Sequence, residues 1–467
     1  MSLFPLATLK RAIQKEPMYL LWPLYVALIL RLALAGDRPP PGSTERVEGL
    51  LRKMSIEDKA GQMTQMDLTG FVDVATGALN EDKLRRTLDT ARVGSLFDTP
   101  YAGGGGPPGG LSAPKWRELI RRVQEIAVDS GSRLPLLFGI DSVHGANYVG
   151  GATLFPQQIM MAASFNMSVA FEAGRVAAKD SRAAAMPWLF SPILGIAVQP
   201  QWARVFETFG EDPYLVSKMG AAIITGIQAS LPGGADENDG EPLRAAACMK
   251  HFMGYSTPVA GKDRAPSLLP ERELRELFLP SFRAAVAAGA LTAMESYNEI
   301  DGVPVVSSRA ILSDVLRGEL GFRGLLVTDY NEVKNLMVWH NAVADLKAAS
   351  QVVLTDTTVD MAMMPYDVTF QQHVSALVRA GSLPEARLDA SVRRILAAKE
   401  AVGLLDNPVP RLDSPLLATV GSAADVAAAI DAAREAVTLL KNVGRALPLR
   451  RRPGGHIVVA GESCRSL

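Results

Sequence analysis

The stretch Gly324-Leu325-Leu326-Val327-Thr328-Asp329-Tyr330 is a short apolar run that ends on a carboxylate beside an aromatic ring. In an α/β barrel, chemistry sits where parallel strands give way to loops. A carboxylate at that point faces a pocket rather than the packed interior. If the chain is an enzyme, Asp329 is placed to be its nucleophile.

Working outward, similar apolar runs recur at 93–97, 136–140, 188–190, 245–249, 291–294, 325–327 and 352–354, and each reads as a strand. Helical patterns lie between them, for example at 116–127, 170–185 and 272–288. Such alternation implies a mostly parallel sheet. This many units points to a closed TIM-like (β/α)8 barrel rather than an open sheet. Several runs end directly in polar groups: Asp98, Asp141, Ser191, Lys250-His251, Glu295 and Asp329. Any strand must end in something polar, but six endings that mostly carry charge read better as one pocket rim.

The 467 residues allow two or three domains, or one large barrel with an appendage. Hydrophobic residues make up 48% and charged residues 21%, enough apolar material for a large core. A formal net charge of -1, with no basic block among the aromatics, gives no electrostatic case for a nucleic-acid partner. Cys248 and Cys464 cannot build a disulfide framework, and Cys248 sits in an apolar run as a small buried hydrophobe. The five histidines lack metal-ligand spacing.

Residues 1–36 stand apart. Lys10, Arg11 and Lys15 precede an apolar run at 18–30, and Ala33-Leu34-Ala35 offers a small-x-small cleavage site. That is a signal-peptide layout, with an uncleaved anchor over 18–35 or a misplaced start as alternatives. A membrane partner is expected only if this leader stays attached. Two stretches read as mobile or solvated, the Gly/Pro-rich 103–110 and the acidic 231–242. Asn166-Met167-Ser168 is a glycosylation sequon, meaningful only on an exported chain.

A barrel domain over 42–405 is followed by a linker and helix (406–446, the helix at 423–440). Residues 447–467 then read as the opening of a further α/β sandwich domain, with a first strand at 456–461, so the sequence reads as truncated. Without that domain, the apolar 423–449 region is expected to leave surface exposed.

Longer motifs fill in the barrel: Gly139-Ile140-Asp141-Ser142-Val143-His144-Gly145-Ala146-Asn147, Trp202-Ala203-Arg204 leading to Glu207-Thr208-Phe209-Gly210-Glu211-Asp212-Pro213, Lys250-His251-Phe252, Ser296-Tyr297-Asn298, Val327-Thr328-Asp329-Tyr330, and Val437-Thr438-Leu439-Leu440-Lys441-Asn442. On these the chain, from about 47 to 461, resembles the glycoside hydrolase family 3 β-glucosidases, most closely their lysosomal or secreted branch. The resemblance implies a barrel whose pocket holds one terminal sugar. It puts the nucleophile on Asp329 and the grip on the sugar hydroxyls on Asp141, Arg204, Lys250, His251 and Tyr297. Tyr330 stands where the family usually has Trp, and its ring could stack on the leaving-group side. The family's acid/base glutamate comes from a second domain that this chain does not reach. The loop 253–263 has no histidine, so the N-acetylglucosamine-specific branch, which carries a His–Asp pair there, is not expected.

These residue types suit the chemistry. Retaining hydrolysis needs two carboxyl groups about 5–5.5 Å apart, one attacking the anomeric carbon and one protonating the leaving oxygen. The attacking group must stay ionised, which nearby Lys250, His251 or Arg204 could favour. The plainer readings are a helix-capping Asp329, an Arg204 paired with Glu207 or Glu211, a His144 that shapes its loop, a Glu211-Asp212 turn, and a Met361–Met364 cluster used only for packing. Glu295 and Glu299 lie near the expected rim as weak candidate acids.

The expected function is therefore a retaining exo-β-glucosidase acting on terminal β-D-glucosyl residues of β-glucans, oligosaccharides or β-glucosides. No metal or organic cofactor is expected, and the oligomeric state stays open. The alternatives are a truncated, inactive sugar-binding remnant and, remotely, an aldolase using Lys250 as a Schiff base.

Overall fold

A computed structural model of the protein describes residues 44–73, 76–97, 111–229, 245–449, 456, 458, 460 and 461. Eight parallel strands carry the fold: β1 Thr64–Asp67, β2 Ser95–Phe97, β3 Leu137–Ile140, β4 Trp188–Leu189, β5 Ala246–Phe252, β6 Thr292–Glu295, β7 Leu325–Val327 and β8 Ala362–Met363. They run in the order β7-β6-β5-β4-β3-β2-β1-β8. A parallel bridge from Val327 to Met361 joins the two ends and closes the barrel. Every residue of β1, β2, β3, β5, β6 and β7 is buried, as expected for strands with packed side chains inside and helices outside.

The helices form where periodicity and caps agree. In Ala113–Val128, Trp116, Ile120, Val123 and Ala127 recur at helical spacing and are all buried, with Pro in the first turn. Fully burying a side chain such as Ile120 is worth about 1.5–3 kcal/mol. Asn166 caps Met167–Ala183 by accepting from Ser168 N–H, and its amide also donates to Glu435. Asp212 caps Pro213–Gln228 by accepting from Tyr214 N–H at 2.8 Å, which is the structural turn expected of Glu211-Asp212.

Three expectations need correction. The run 352–354 is not a strand but part of the helix Leu346–Asp356, where Val353 and Leu354 pack inward. A short apolar run cannot be told from a helix face by its composition. The capping carboxylate of Asp345, which accepts from Ala348 N–H, settles it as helix. The barrel's first strand was missed altogether, because Thr-Gln-Met-Asp has no apolar run. Its polar side chains are buried in the barrel instead, Gln65 donating to Ser95 Oγ on β2 at 2.7 Å. The true eighth strand lies within the Met361–Met364 cluster, whose four residues are buried.

Beyond the barrel, the last long helix spans Ala423–Ala436 and stops short of 440. After it Val437, Leu439, Leu440, Val443 and Leu449 are all exposed, so the expected apolar surface is present. His456, Val458, Ala460 and Gly461 are exposed and lie in no strand. They have no neighbouring strand to pair with among the described residues. The leader 1–36, the stretches 103–110 and 231–242, Asp98 and Cys464 fall outside the described residues.

Candidate active site

A cavity of about 470 Å³ opens at the C-terminal end of the strands. Asp141, Arg204, Lys250, His251, Tyr297, Asp329 and Tyr330 all line it. Asp141 follows β3, Arg204 begins the short turn Val205–Glu207 after β4, Tyr297 follows β6, and Asp329-Tyr330 follow β7. Lys250 and His251 are consecutive residues of β5, which would ordinarily face opposite ways. The pairing of β5 with β6 slips between Met249 and Phe252, and across this irregular stretch both side chains line the cavity.

Not every strand ending joins the rim. Ser191 is buried and lines no part of the cavity. Glu295, expected near the rim, is fully buried beneath it. Its neighbour Met294 faces the cavity instead, as alternation along β6 requires. Glu299 is also no free acid, because its Oε1 lies 2.8 Å from His340 Nδ1.

Opposite charges pair within the cavity. Lys250 Nζ donates to Asp141 Oδ1 at 2.5 Å, with the lysine buried and the carboxylate open to the cavity. Arg204 makes a forked contact with Glu207, at 2.7 Å from Nη2 and 3.1 Å from Nε. The plain reading of Arg204 and the pocket reading are thus both met: it pairs with Glu207 and lines the cavity. Its guanidinium is held above its ordinary range because Glu207 outweighs the desolvation.

At the centre, Asp329 Oδ1 accepts from Tyr330 N–H at 2.7 Å, and Asp329 N–H donates to Glu295 Oε1 at 2.8 Å. Oδ2, buried without a short hydrogen bond, faces His251 Nε2 at 3.5 Å. Burial pushes the Asp329 carboxyl up to about 6, against the opposing pull of Arg204, Lys250, the Tyr330 amide and the Tyr297 hydroxyl. The expectation that neighbouring bases hold it low is therefore only half met. Desolvation wins, and His251 cannot help: burial, then Arg204 and Lys250, drives its pKa far down, so the ring is neutral. Arg204 Nη2 and Asp329 Oδ2 each lie 3.5 Å from His251 Nε2.

Sequence reading missed several lining residues. Arg264 lies over the Tyr297 ring at 3.9 Å and reaches Asp263 only at 3.9 Å. Asp263 is held by Trp202 Nε1 and the Tyr255 hydroxyl, so the loop after β5 is fixed by a structural carboxylate. Trp202, Tyr255 and Tyr297 form a small aromatic cluster beside the cavity, and Phe97 meets Tyr330 edge-on. No motif marked Phe97, Tyr255 or Arg264, since apolar and loop residues acquire their meaning only from the closed barrel. His144 Nδ1 lies 2.9 Å from the Phe155 carbonyl, the loop-shaping contact expected of it. Cys248 is fully buried, its thiol pushed up to about 12 by desolvation. Among the described residues, no group of His, Cys, Asp and Glu is arranged to hold a metal ion.

The arrangement can bind a polyol on paired charges and present one carboxylate oxygen to it in a dry wall. Residues 55–398 match the glycosyl hydrolase family 3 N-terminal domain. The chain is 43% identical over 90% of its length to a lysosomal beta glucosidase of Dictyostelium discoideum, covering 51% of that protein. It is 30% identical over 93% of its length to a periplasmic beta-glucosidase of Salmonella typhimurium, covering 53% of it. Its structure resembles a beta-glucosidase from Listeria innocua in complex with glucose, with a TM-score of 0.74 at 29% identity over 87% of this chain and 53% of that one. The chain spans about half the length of the curated relatives it matches.

Proposed function

The chain belongs to glycoside hydrolase family 3, and on that premise we propose that it is the barrel of a retaining exo-β-glucosidase. Asp329 is its nucleophile, and Asp141, Arg204, Lys250, His251 and Tyr297 hold the terminal glucosyl residue. The observation that carries this reading is Asp329 itself. It is a buried carboxylate at a strand end, with one oxygen anchored by a backbone amide and the other facing the cavity's bases.

Asp329 Oδ2 attacks the anomeric carbon, the bond to the leaving oxygen breaks, and its electron pair departs with that oxygen. Water then attacks the glucosyl ester, releasing glucose and restoring the carboxylate. Lys250 and Arg204 donate to sugar hydroxyls while Asp141 accepts. Tyr330, which rests against Phe97, offers its ring on the leaving-group side.

Among the described residues, the cavity's other carboxylates, Asp141 and Glu207, are each engaged by a cation. An activated aryl leaving group departs without a proton, so it isolates what the barrel can do. We expect a dinitrophenyl β-glucoside to release phenolate, faster than the β-xyloside and far faster than the β-N-acetylglucosaminide. The Asp329→Ala variant should release none above background. Release unchanged by Asp329→Ala would overturn the assignment. The lysosomal and periplasmic beta-glucosidases among the relatives, together with the signal-peptide layout read at 1–36, support a secreted or lysosomal glucosidase, with carbohydrate on Asn166 if exported. Residues 42–405 form its barrel domain, 406–446 a linker and helix, and 447–467 the opening of a second domain.

A further inference from the structure

Beneath the cavity lies a chain of ionisable groups that the hydrolytic scheme does not use. Glu295, the last residue of β6, is fully inaccessible, and so nearly are Glu332 and the His340 side chain. Glu295 Oε1 accepts the N–H of Asp329 at 2.8 Å. Its other oxygen, Oε2, is buried with no hydrogen-bond partner, and so are Glu332 Oε2 and His340 Nε2. Glu332 begins the helix after the nucleophile, Glu332–Val338. Its Oε1 accepts from Asn335, and its Oε2 lies 3.5 Å from His340 Nε2. His340 Nδ1 in turn meets Glu299 at 2.8 Å.

Elementary electrostatics constrains the protons here. Glu295 feels the charge of both Glu332 and Asp329, and three carboxylates cannot share a dry site ionised. Among the described residues, no cation forms an ion pair with Glu295. His340, by contrast, has a carboxylate at each ring nitrogen, which suits the doubly protonated ring and offsets Glu299 and Glu332 in part. The proton that relieves the rest belongs on Glu295, whose charge is opposed by burial, by Glu332 and by Asp329.

We propose that Glu295 is a positioning residue for the nucleophile, a neutral carboxylic acid whose carbonyl oxygen fixes the Asp329 backbone while its hydroxyl stays buried at Oε2. The peptide N–H of Asp329 is tied down by Glu295 Oε1, which helps hold its carboxylate at the cavity. A neutral acid does this without adding negative charge next to a nucleophile that burial already makes reluctant to ionise. The inference rests on the glucosidase reading for the word nucleophile, but not for the state of Glu295.

Two measurements separate these. Carbon-13 NMR of the chain labelled at its Glu side-chain carboxyls should show one resonance that stays at the protonated shift after the ordinary carboxylates have titrated, and that vanishes in Glu295→Gln. Absence of such a resonance overturns the proposal whether or not the protein is an enzyme. Covalent labelling by dinitrophenyl 2-deoxy-2-fluoro-β-glucoside then reads positioning. Glu295→Gln, which keeps a neutral acceptor oxygen, should label within about threefold of the parent and with the same acid limb. Glu295→Leu, with its folding verified, should label at least about tenfold more slowly. A downward shift of the acid limb in Glu295→Gln would mean that Glu295 is charged. Equal labelling in Glu295→Leu would mean that it positions nothing; either result overturns the proposal. A parent that is not labelled at all counts against the glucosidase reading instead, and the NMR result still decides the state of Glu295.

Discussion

Asp329 holds its negative charge in a place that disfavours it, and its activity should show this. With the carboxyl pushed up to about 6, the ionised, attacking form is lost as pH falls through that value. For a substrate that needs no acid, kcat/KM is expected to fall about tenfold per unit below the limb. Lys250 is among the groups that oppose the upward push, so Lys250→Met should move the limb to higher pH while weakening sugar binding. A pH–rate profile of the two proteins checks both the midpoint and the sign. At this scale the residue types were legible: all seven residues expected to hold or attack the sugar meet in one cavity. What could not be read was protonation. A neutral His251 and a buried Glu295 are products of burial, and burial is a property of the closed fold rather than of any motif.

The elements owe their legibility to apolar patterning and their exceptions to its absence. β7 was read to its exact bounds because it is purely aliphatic, whereas β1 hides its strand character behind Thr64, Gln65 and Asp67. The closure from β7 to β8 depends on a second feature no pattern announced. Asp360 accepts from Leu326 N–H and Arg317 on one oxygen, and from Ser391 and Arg394 on the other. Burial alone would raise its pKa, but Arg394, Arg317 and Arg387 more than reverse this and hold it ionised. Breaking one partner of a buried ionic cluster leaves uncompensated charge, typically a loss of about 3–5 kcal/mol. Asp360→Asn should therefore lower the unfolding free energy read from urea denaturation by that much and leave the chemistry of Asp329 unchanged in whatever fraction stays folded. A loss below about 1 kcal/mol would show that the cluster is not what closes the barrel.

Across the whole molecule, the sensitive groups lie at opposite ends of the barrel. Away from the cavity, Lys399 is fully buried, donating to Gln62 Oε1 at 2.5 Å and the Pro135 carbonyl at 2.7 Å, with its pKa lowered from 10.5 to about 7 by desolvation. Between those values the unfolded chain binds one proton more than the folded one. Stability should therefore rise with pH by about 1.4 kcal/mol per unit above 7 from this group. Below pH 7 both states carry the proton, and the penalty is fully present. Comparing the parent with Lys399→Met by chemical denaturation at several pH values isolates the slope, which should be absent in the variant. The barrel as a whole was foreseeable from the count of strand–helix units; its polar interior and its lysine at the far end were not, because both need the closed sheet to be defined. The proposed hydrolysis turns on one covalent event, and trapping it is the most direct test. The chain would be incubated with dinitrophenyl 2-deoxy-2-fluoro-β-glucoside, digested, and its peptides weighed by mass spectrometry. A single fluoroglucosyl group on the peptide that contains Asp329, absent in Asp329→Ala, is the result predicted; a label on any other carboxylate would contradict the assignment of the nucleophile.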